Sequence, residues 1–90
     1  MAQPQAKRHS VVLLTRGACP ICERTAARLA ELAAEWDFEL KVTDVDVAAD
    51  AGDRALRAEY GDRLPVVLLD GSEHSYWEID EPRLVADLAR

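Results

Sequence analysis

Val11-Val12-Leu13-Leu14-Thr15-Arg16-Gly17-Ala18-Cys19-Pro20-Ile21-Cys22 is the stretch whose reading decides the fold. Val11 to Leu14 is a short continuous apolar run, the pattern of a strand buried on both faces. Thr15 to Ala18 breaks that run, with Gly17 the residue expected to take backbone angles that others avoid. From Pro20 the pattern becomes helical. Cys22, Thr25, Leu29, Leu32 and Trp36 recur at steps of three and four, so a helix is predicted over Pro20 to Trp36 with all five in the core. Pro20 suits the first helical position, where its missing N–H leaves no bond unmade. The two thiols are therefore predicted one turn apart at a helix N-terminus, Cys19 at the mouth and Cys22 just inside.

A thiolate, not a thiol, attacks a disulfide, and a helix N-terminus favours negative charge through its unpaired N–H groups and dipole. In Cys-x-x-Cys settings the first thiol's pKa falls from about 8.5 to between ~3.5 and ~7.5. Arg16 and Arg24 flank the motif and add positive potential. Cys19 is thus the expected nucleophile, and Cys22 the thiol that attacks the resulting mixed disulfide. The bland alternative makes Cys22 only a small buried hydrophobe. The chain's 2 cysteines both lie in this motif, which favours redox chemistry. No metal site is expected, because a zinc site needs about four ligands and the scattered His9 and His74 lack the spacing.

Working outward, residues 1–10 are polar and read as a flexible tail, leaving residues 11–90 as one domain. Phe38 to Val42 alternates apolar and polar, as a half-buried strand does. Val45 and Val47 resume the alternation in the opposite phase, so a kink near Thr43-Asp44 is expected, with Asp44 and Asp46 on a solvated strand face. Asp50 and Asp53 open a helix through Leu56 to Tyr60 that stops at Gly61. Val66 to Leu69 is another buried strand, preceded by Leu64-Pro65. Asp70-Gly71 signals a hairpin returning as Ser72 to Trp77, with one of Tyr76 and Trp77 facing the core and the other solvent. Asp80-Glu81-Pro82 opens a last helix with Leu84, Val85 and Leu88 as its apolar face. The order is β-α-β-α-β-β-α. A right-handed crossover followed by a hairpin gives a four-stranded mixed sheet flanked by helices on both faces.

The chain has 90 residues, 49% of them hydrophobic, a net charge of −6 and a pI near 4.8. That balance argues against nucleic acid or an anionic membrane as partner. No apolar run reaches the ~20 residues that span a bilayer. No segment of signal-peptide type precedes the first strand, so a cytoplasmic location is expected; a monomer is expected as well. In a reducing compartment a close cysteine pair is more often catalytic or metal-binding than structural.

Strand, Cys-Pro-Ile-Cys, helix, a strand opened by Leu64-Pro65, a hairpin and a final helix together resemble the glutaredoxin branch of the thioredoxin fold. Within that branch the chain is similar to the small bacterial glutaredoxin-like proteins, whose last segment reads much like Leu64-Pro65-Val66-Val67-Leu68-Leu69-Asp70-Gly71. The resemblance covers nearly everything from Val11 onward. It implies a thioredoxin-like fold and a thiol–disulfide oxidoreductase acting on protein or small-molecule disulfides. It also implies a cis Leu64-Pro65 peptide beside the cysteines, with Pro65 against the disulfide. Leu64 would offer its N–H and C=O to an extended substrate, a short form of strand addition. Arg16, Leu64, Pro65 and Asp80 are the residues expected around that substrate. Asp80 or Glu81 matches the acidic residue that holds glutathione's amino group in glutaredoxins, although Asp80 also reads as a helix cap.

Two departures stand out. Ile21 replaces the usual aromatic before the second cysteine. His74-Ser75-Tyr76-Trp77-Glu78 stands where glutaredoxins carry the Gly-Gly pair that admits glutathione's backbone. The substitution tilts the reading away from tight glutathione binding. No tightly bound cofactor is expected. The reductant is either a low-molecular-weight thiol, glutathione or a substitute, or a flavoprotein reductase. A non-catalytic redox sensor or adaptor on the same fold is the alternative.

Overall fold

Residues 8–90 are described by the structure, a computed structural model, so the first seven residues of the expected tail lie outside the described residues. The elements run β1 (Ser10–Thr15), α1 (Pro20–Trp36), β2 (Glu39–Asp44), α2 (Val45–Asp50), α3 (Ala55–Tyr60), β3 (Val66–Leu69), β4 (Ser72–Tyr76) and α4 (Glu81–Leu88). The sheet order is β2-β1-β3-β4. β1 pairs parallel to β2 (Leu13 opposite Val42) and antiparallel to β3 (Leu14 opposite Val66). β3 and β4 form the hairpin, with a bulge between Val67 and Leu68.

Alternation along β1 feeds two cores. Val11 and Leu13 join Val67 on one face, where Leu29 and Leu32 of α1 and Leu84 and Leu88 of α4 cover them together with Phe38. Leu14 joins Val66, Leu68 and Val45 on the other face, with Leu56, Tyr60 and Leu64 packed alongside. Each fully buried leucine or valine contributes about 1.5–3 kcal/mol, so β1 anchors both layers. The helices therefore lie on both faces, as the apolar runs predict.

Several expectations are corrected. Val45 and Val47 do not extend a strand. Asp44 ends β2 and turns its carboxylate onto the N–H groups of Asp46 and Val47, at 2.8 and 3.1 Å, which starts α2 instead. Val45 goes into the core while Val47 stays 64% exposed, an arrangement a period-two pattern mimics. Asp46 consequently lies on a helix rather than a strand face, and Asp50 closes α2 rather than opening α3. Asp53 retains a capping role, accepting from Ala55 N–H at 3.2 Å. Trp36 is exposed, not core, because α1 ends there and Asp37 turns the chain with φ 55°. Tyr76 and Trp77 are both exposed, because Trp77 takes φ 64° and leaves the extended geometry on which strand alternation depends. Ser10, assigned above to the tail, is the first residue of β1.

The register gathers one end of the sheet. Thr15 lies opposite Asp44, Leu14 opposite Val66, and Val66 opposite Tyr76. The loop to Cys19, the start of α2, Leu64-Pro65 and Trp77 therefore share that end. At the other end Asp70 accepts Ser10 N–H at 2.8 Å and pairs with His9 at 2.6 Å.

Candidate active site

Cys19 is the N-cap of α1, with extended backbone (φ −125°, ψ 93°) and Pro20 in the first turn. Cys19 and Cys22 are joined as a disulfide with Cα atoms 5.2 Å apart. The N–H of Cys22 donates to Cys19 Sγ at 3.2 Å, a cap bond made by sulfur in place of a hydroxyl. Cys22 is buried at 2% exposure under the first turn, whereas Cys19 is half-buried at the helix mouth. The unusual backbone in the approach falls on Ala18 (φ 55°) and not on Gly17. A Cβ added to Gly17 would meet only Asp44 Oδ2 at 3.9 Å, ordinary contact, so position 17 does not demand glycine.

Around the motif, charge is largely compensated. Arg16 makes a two-point pair with Asp46, and Arg57 of α3 reaches the same carboxylate at 3.2 Å. The Arg16 guanidinium, then that of Arg57, holds the Asp46 carboxyl below its ordinary value of 3.8. Arg24 is exposed and makes no ion pair among the described residues. Arg28 binds Glu81 at 2.8 and 2.9 Å, tying α1 to α4 and lowering the Glu81 carboxyl. Asp80 caps α4 by accepting Arg83 N–H at 3.3 Å, the structural role its position suggests.

The Leu64-Pro65 peptide is cis, as the resemblance implies. Leu64 N–H and C=O make no hydrogen bond among the described residues, while both neighbouring carbonyls are used. Trp77 N–H donates to Pro65 O at 2.8 Å and approaches Arg63 O at 3.3 Å. Trp77 itself is 58% exposed and stacks edge-on against Tyr76, ring centroids 5.0 Å apart at 82°. A shallow groove of about 310 Å³ has Ile21, Arg24, Thr25 and Arg28 of α1 as one wall and Glu78 and Ile79 as the other. Neither the Trp77 conformation nor this groove is legible in the sequence, since a Tyr-Trp pair on a strand pattern predicts alternation.

Cys19, Cys22, Arg16, Leu64 and Pro65 thus gather at one end, with Asp80 beyond the groove at the start of α4. His9 and His74 do not join them. His74 pairs with Asp87 at 2.8 Å on the β4–α4 side, and His9 sits at the far hairpin. Among the described residues no three metal-ligating side chains converge.

A mixed sheet of this order, with a Cys-x-x-Cys helix leaving its central parallel strand, is the thioredoxin fold. A thioredoxin of Fasciola hepatica superposes with a TM-score of 0.62 at 25% identity, over 92% of this chain and 80% of that one. The family model described as glutaredoxin-like domain (DUF836) matches residues 10–89, and the chain belongs to that family. The solution structure of a Nitrosomonas europaea protein is similar at a TM-score of 0.75 and 27% identity, over 96% of this chain and 98% of that chain. An uncharacterized protein of Mycobacterium tuberculosis is 61% identical over all 90 residues, which span 88% of its length.

Proposed function

We propose that the protein is a thiol–disulfide oxidoreductase in which Cys19 is the nucleophile and Cys22 the resolving thiol. The observation that carries this reading is the asymmetric pair at the α1 N-cap, a half-buried sulfur receiving an N–H and a buried one behind it. A donated N–H and the helix dipole favour a thiolate at Cys19. That thiolate attacks one sulfur of a substrate disulfide, the S–S bond breaks, and the other sulfur leaves as a thiolate that takes a proton. Cys22, after losing its proton, attacks Cys19 Sγ in the mixed disulfide and releases the second substrate thiol. The substrate gains two electrons and two protons, and Cys19–Cys22 returns as a disulfide.

Leu64 supports substrate positioning through its open N–H and C=O, which suit an extended polypeptide strand. Pro65 lacks an N–H and offers no competing donor. Arg16 contributes positive potential only as far as Asp46 leaves it uncompensated. Asp80 and Glu81 are engaged by Arg83 and Arg28, which supports a reductant other than tightly held glutathione. A dithiol recharged by another low-molecular-weight thiol or by a flavoprotein reductase fits this site and a cytoplasmic setting. No helix of the described residues is long and apolar enough to cross a membrane.

Equilibration in graded thiol redox buffers, alkylation and intact mass measurement test the reading. Both thiols should disappear together at one potential, and Cys22→Ser should accumulate a mixed disulfide on Cys19. Cys19→Ser should lose disulfide reduction by at least about a thousandfold. Thiols that stay reduced throughout the range of redox proteins would leave the sensor or adaptor reading in its place.

A further inference from the structure

Trp77 combines three features that a plain turn does not need. It is a bulky residue at φ 64°, a region costly for any side chain larger than hydrogen. Its N–H is fixed on Pro65 O and Arg63 O, the two carbonyls that bracket Leu64. Its indole is nevertheless 58% exposed, held edge-on by Tyr76, which is itself 48% exposed. Strained backbone with an exposed aromatic at a reactive end of a fold is a pattern of functional sites. A turn under no such demand would carry glycine or asparagine here.

We propose that Trp77 is a specificity-determining residue, selecting extended polypeptide disulfides that carry a bulky apolar side chain beside the reacting cysteine. The inference rests on the dithiol reading above. A polypeptide is the occupant because Leu64 presents a donor and an acceptor at backbone spacing, which a strand satisfies with its own C=O and N–H. An apolar neighbour is selected because Ile21, at 37% exposure, and the Tyr76–Trp77 pair are exposed apolar groups at the sheet end that carries Cys19. Ile21 heads one wall of the groove, and Trp77 immediately precedes the Glu78-Ile79 wall. Of the charged lining, Arg28 is held by Glu81 and Glu31, and the remaining Arg24 and Glu78 are of opposite sign, so neither sign of substrate has an advantage. Aromatic side chains supply large rigid contact area at little entropic cost, which suits recognition of varied sequences.

Two short peptides test this, each closed by one internal disulfide and differing only in leucine or serine beside the first cysteine. Single-turnover reduction by the pre-reduced protein gives a rate constant for each. The leucine peptide should be favoured about tenfold by the unaltered protein, the ratio expected from burying one aliphatic side chain. Trp77→Gly should bring the ratio close to one while Trp77→Phe keeps most of it. Glycine accepts φ 64° without strain, so the first variant retains the fold, and the phenylalanine variant gives a second reading of the ratio. Equal ratios in the unaltered protein and in Trp77→Gly, with both peptides reduced, overturn the inference and leave the dithiol chemistry standing. Reduction of neither peptide by the unaltered protein overturns both.

Discussion

Asp46 accepts the Arg16 guanidinium at two points, Nε to Oδ2 at 3.1 Å and Nη2 to Oδ1 at 3.3 Å. The cation nearest the dithiol in the approach loop is thereby turned toward α2. The same carboxylate takes Arg57 at 3.2 Å, so one anion restrains two cations. Asp46→Asn removes that anion and leaves positive potential at the loop uncompensated. Alkylation of reduced Cys19 by iodoacetamide at neutral pH should accelerate by roughly two- to threefold, and high salt should erase the gain. An unchanged rate at low salt would show that Arg16 does not act on the thiolate.

Core leverage differs sharply along α4. Leu84 is fully buried between α1 and the sheet, whereas Val85, placed on the same apolar face by the sequence, is only half-buried. Leu84→Ala should cost about 2–5 kcal/mol, a large part of the roughly 5–14 kcal/mol that a domain of this size possesses. Thermal denaturation should therefore fall by more than about 10 °C, against a few degrees for Val85→Ala. Equal losses would mean that α4 docks on a different face.

The His9–Asp70 pair gives a pH signature at the hairpin end. The Asp70 hydrogen bond raises the His9 pKa above its ordinary 6.5, so its contribution is complete below that value and vanishes as pH climbs through the raised one. Ser10 N–H first, then His9, lowers the Asp70 carboxyl below 3.8, so its contribution is complete above 3.8 and vanishes at lower pH. Both act fully between 3.8 and 6.5. His9→Gln should lower the melting temperature by about 2 °C near pH 5.5, a size set by solvent screening of exposed pairs, and by almost nothing above about pH 8.5. A deficit independent of pH would mean that packing of the ring, not its charge, is what matters.

Trp77 separates strain from contact in stability terms. Alanine at this position keeps φ 64° and loses the Tyr76 contact, while glycine loses the contact and relieves the backbone. Trp77→Gly should therefore exceed Trp77→Ala in stability by about 1 kcal/mol in urea denaturation, left-handed strain outweighing glycine's extra chain entropy. The reverse order would show that residue 77 leaves the left-handed region in solution.

Much of this architecture could be read from residues one at a time. Pro20 and the Cys22-Thr25-Leu29-Leu32 spacing delimit α1 correctly because helix start chemistry and a buried face agree there. Val66 to Leu69 and Asp70-Gly71 likewise carry mutually consistent strand and turn signals. Legibility failed where one local pattern serves two geometries. Val45-x-Val47 alternates like a strand, but the Asp44 carboxylate finds two N–H groups two and three residues ahead and a helix begins. Trp36 continues the helical period, yet its helix ends before a neighbour covers it. Of the site, the sulfur pair was visible in the sequence, and the Leu64-Pro65 peptide entered through family resemblance. Trp77 was not, because a positive φ at a non-glycine residue arises from tertiary hydrogen bonds to Pro65 and Arg63 rather than from its own preference.

α3 offers a last consequence. Its six residues bury no side chain completely, and no side chain of Arg54 caps its start. Such a segment sits at the low end of the local unfolding scale, while β1, bonded on both sides, sits at the high end. The amides of Ala55 to Tyr60 should lose deuterium protection long before those of Val11 to Leu14. Because Arg54 and Arg57 lie in or beside that segment, trypsin cleavage after residue 10 should begin there and not at the dithiol. The redox pair hangs from the part of the chain that opens last.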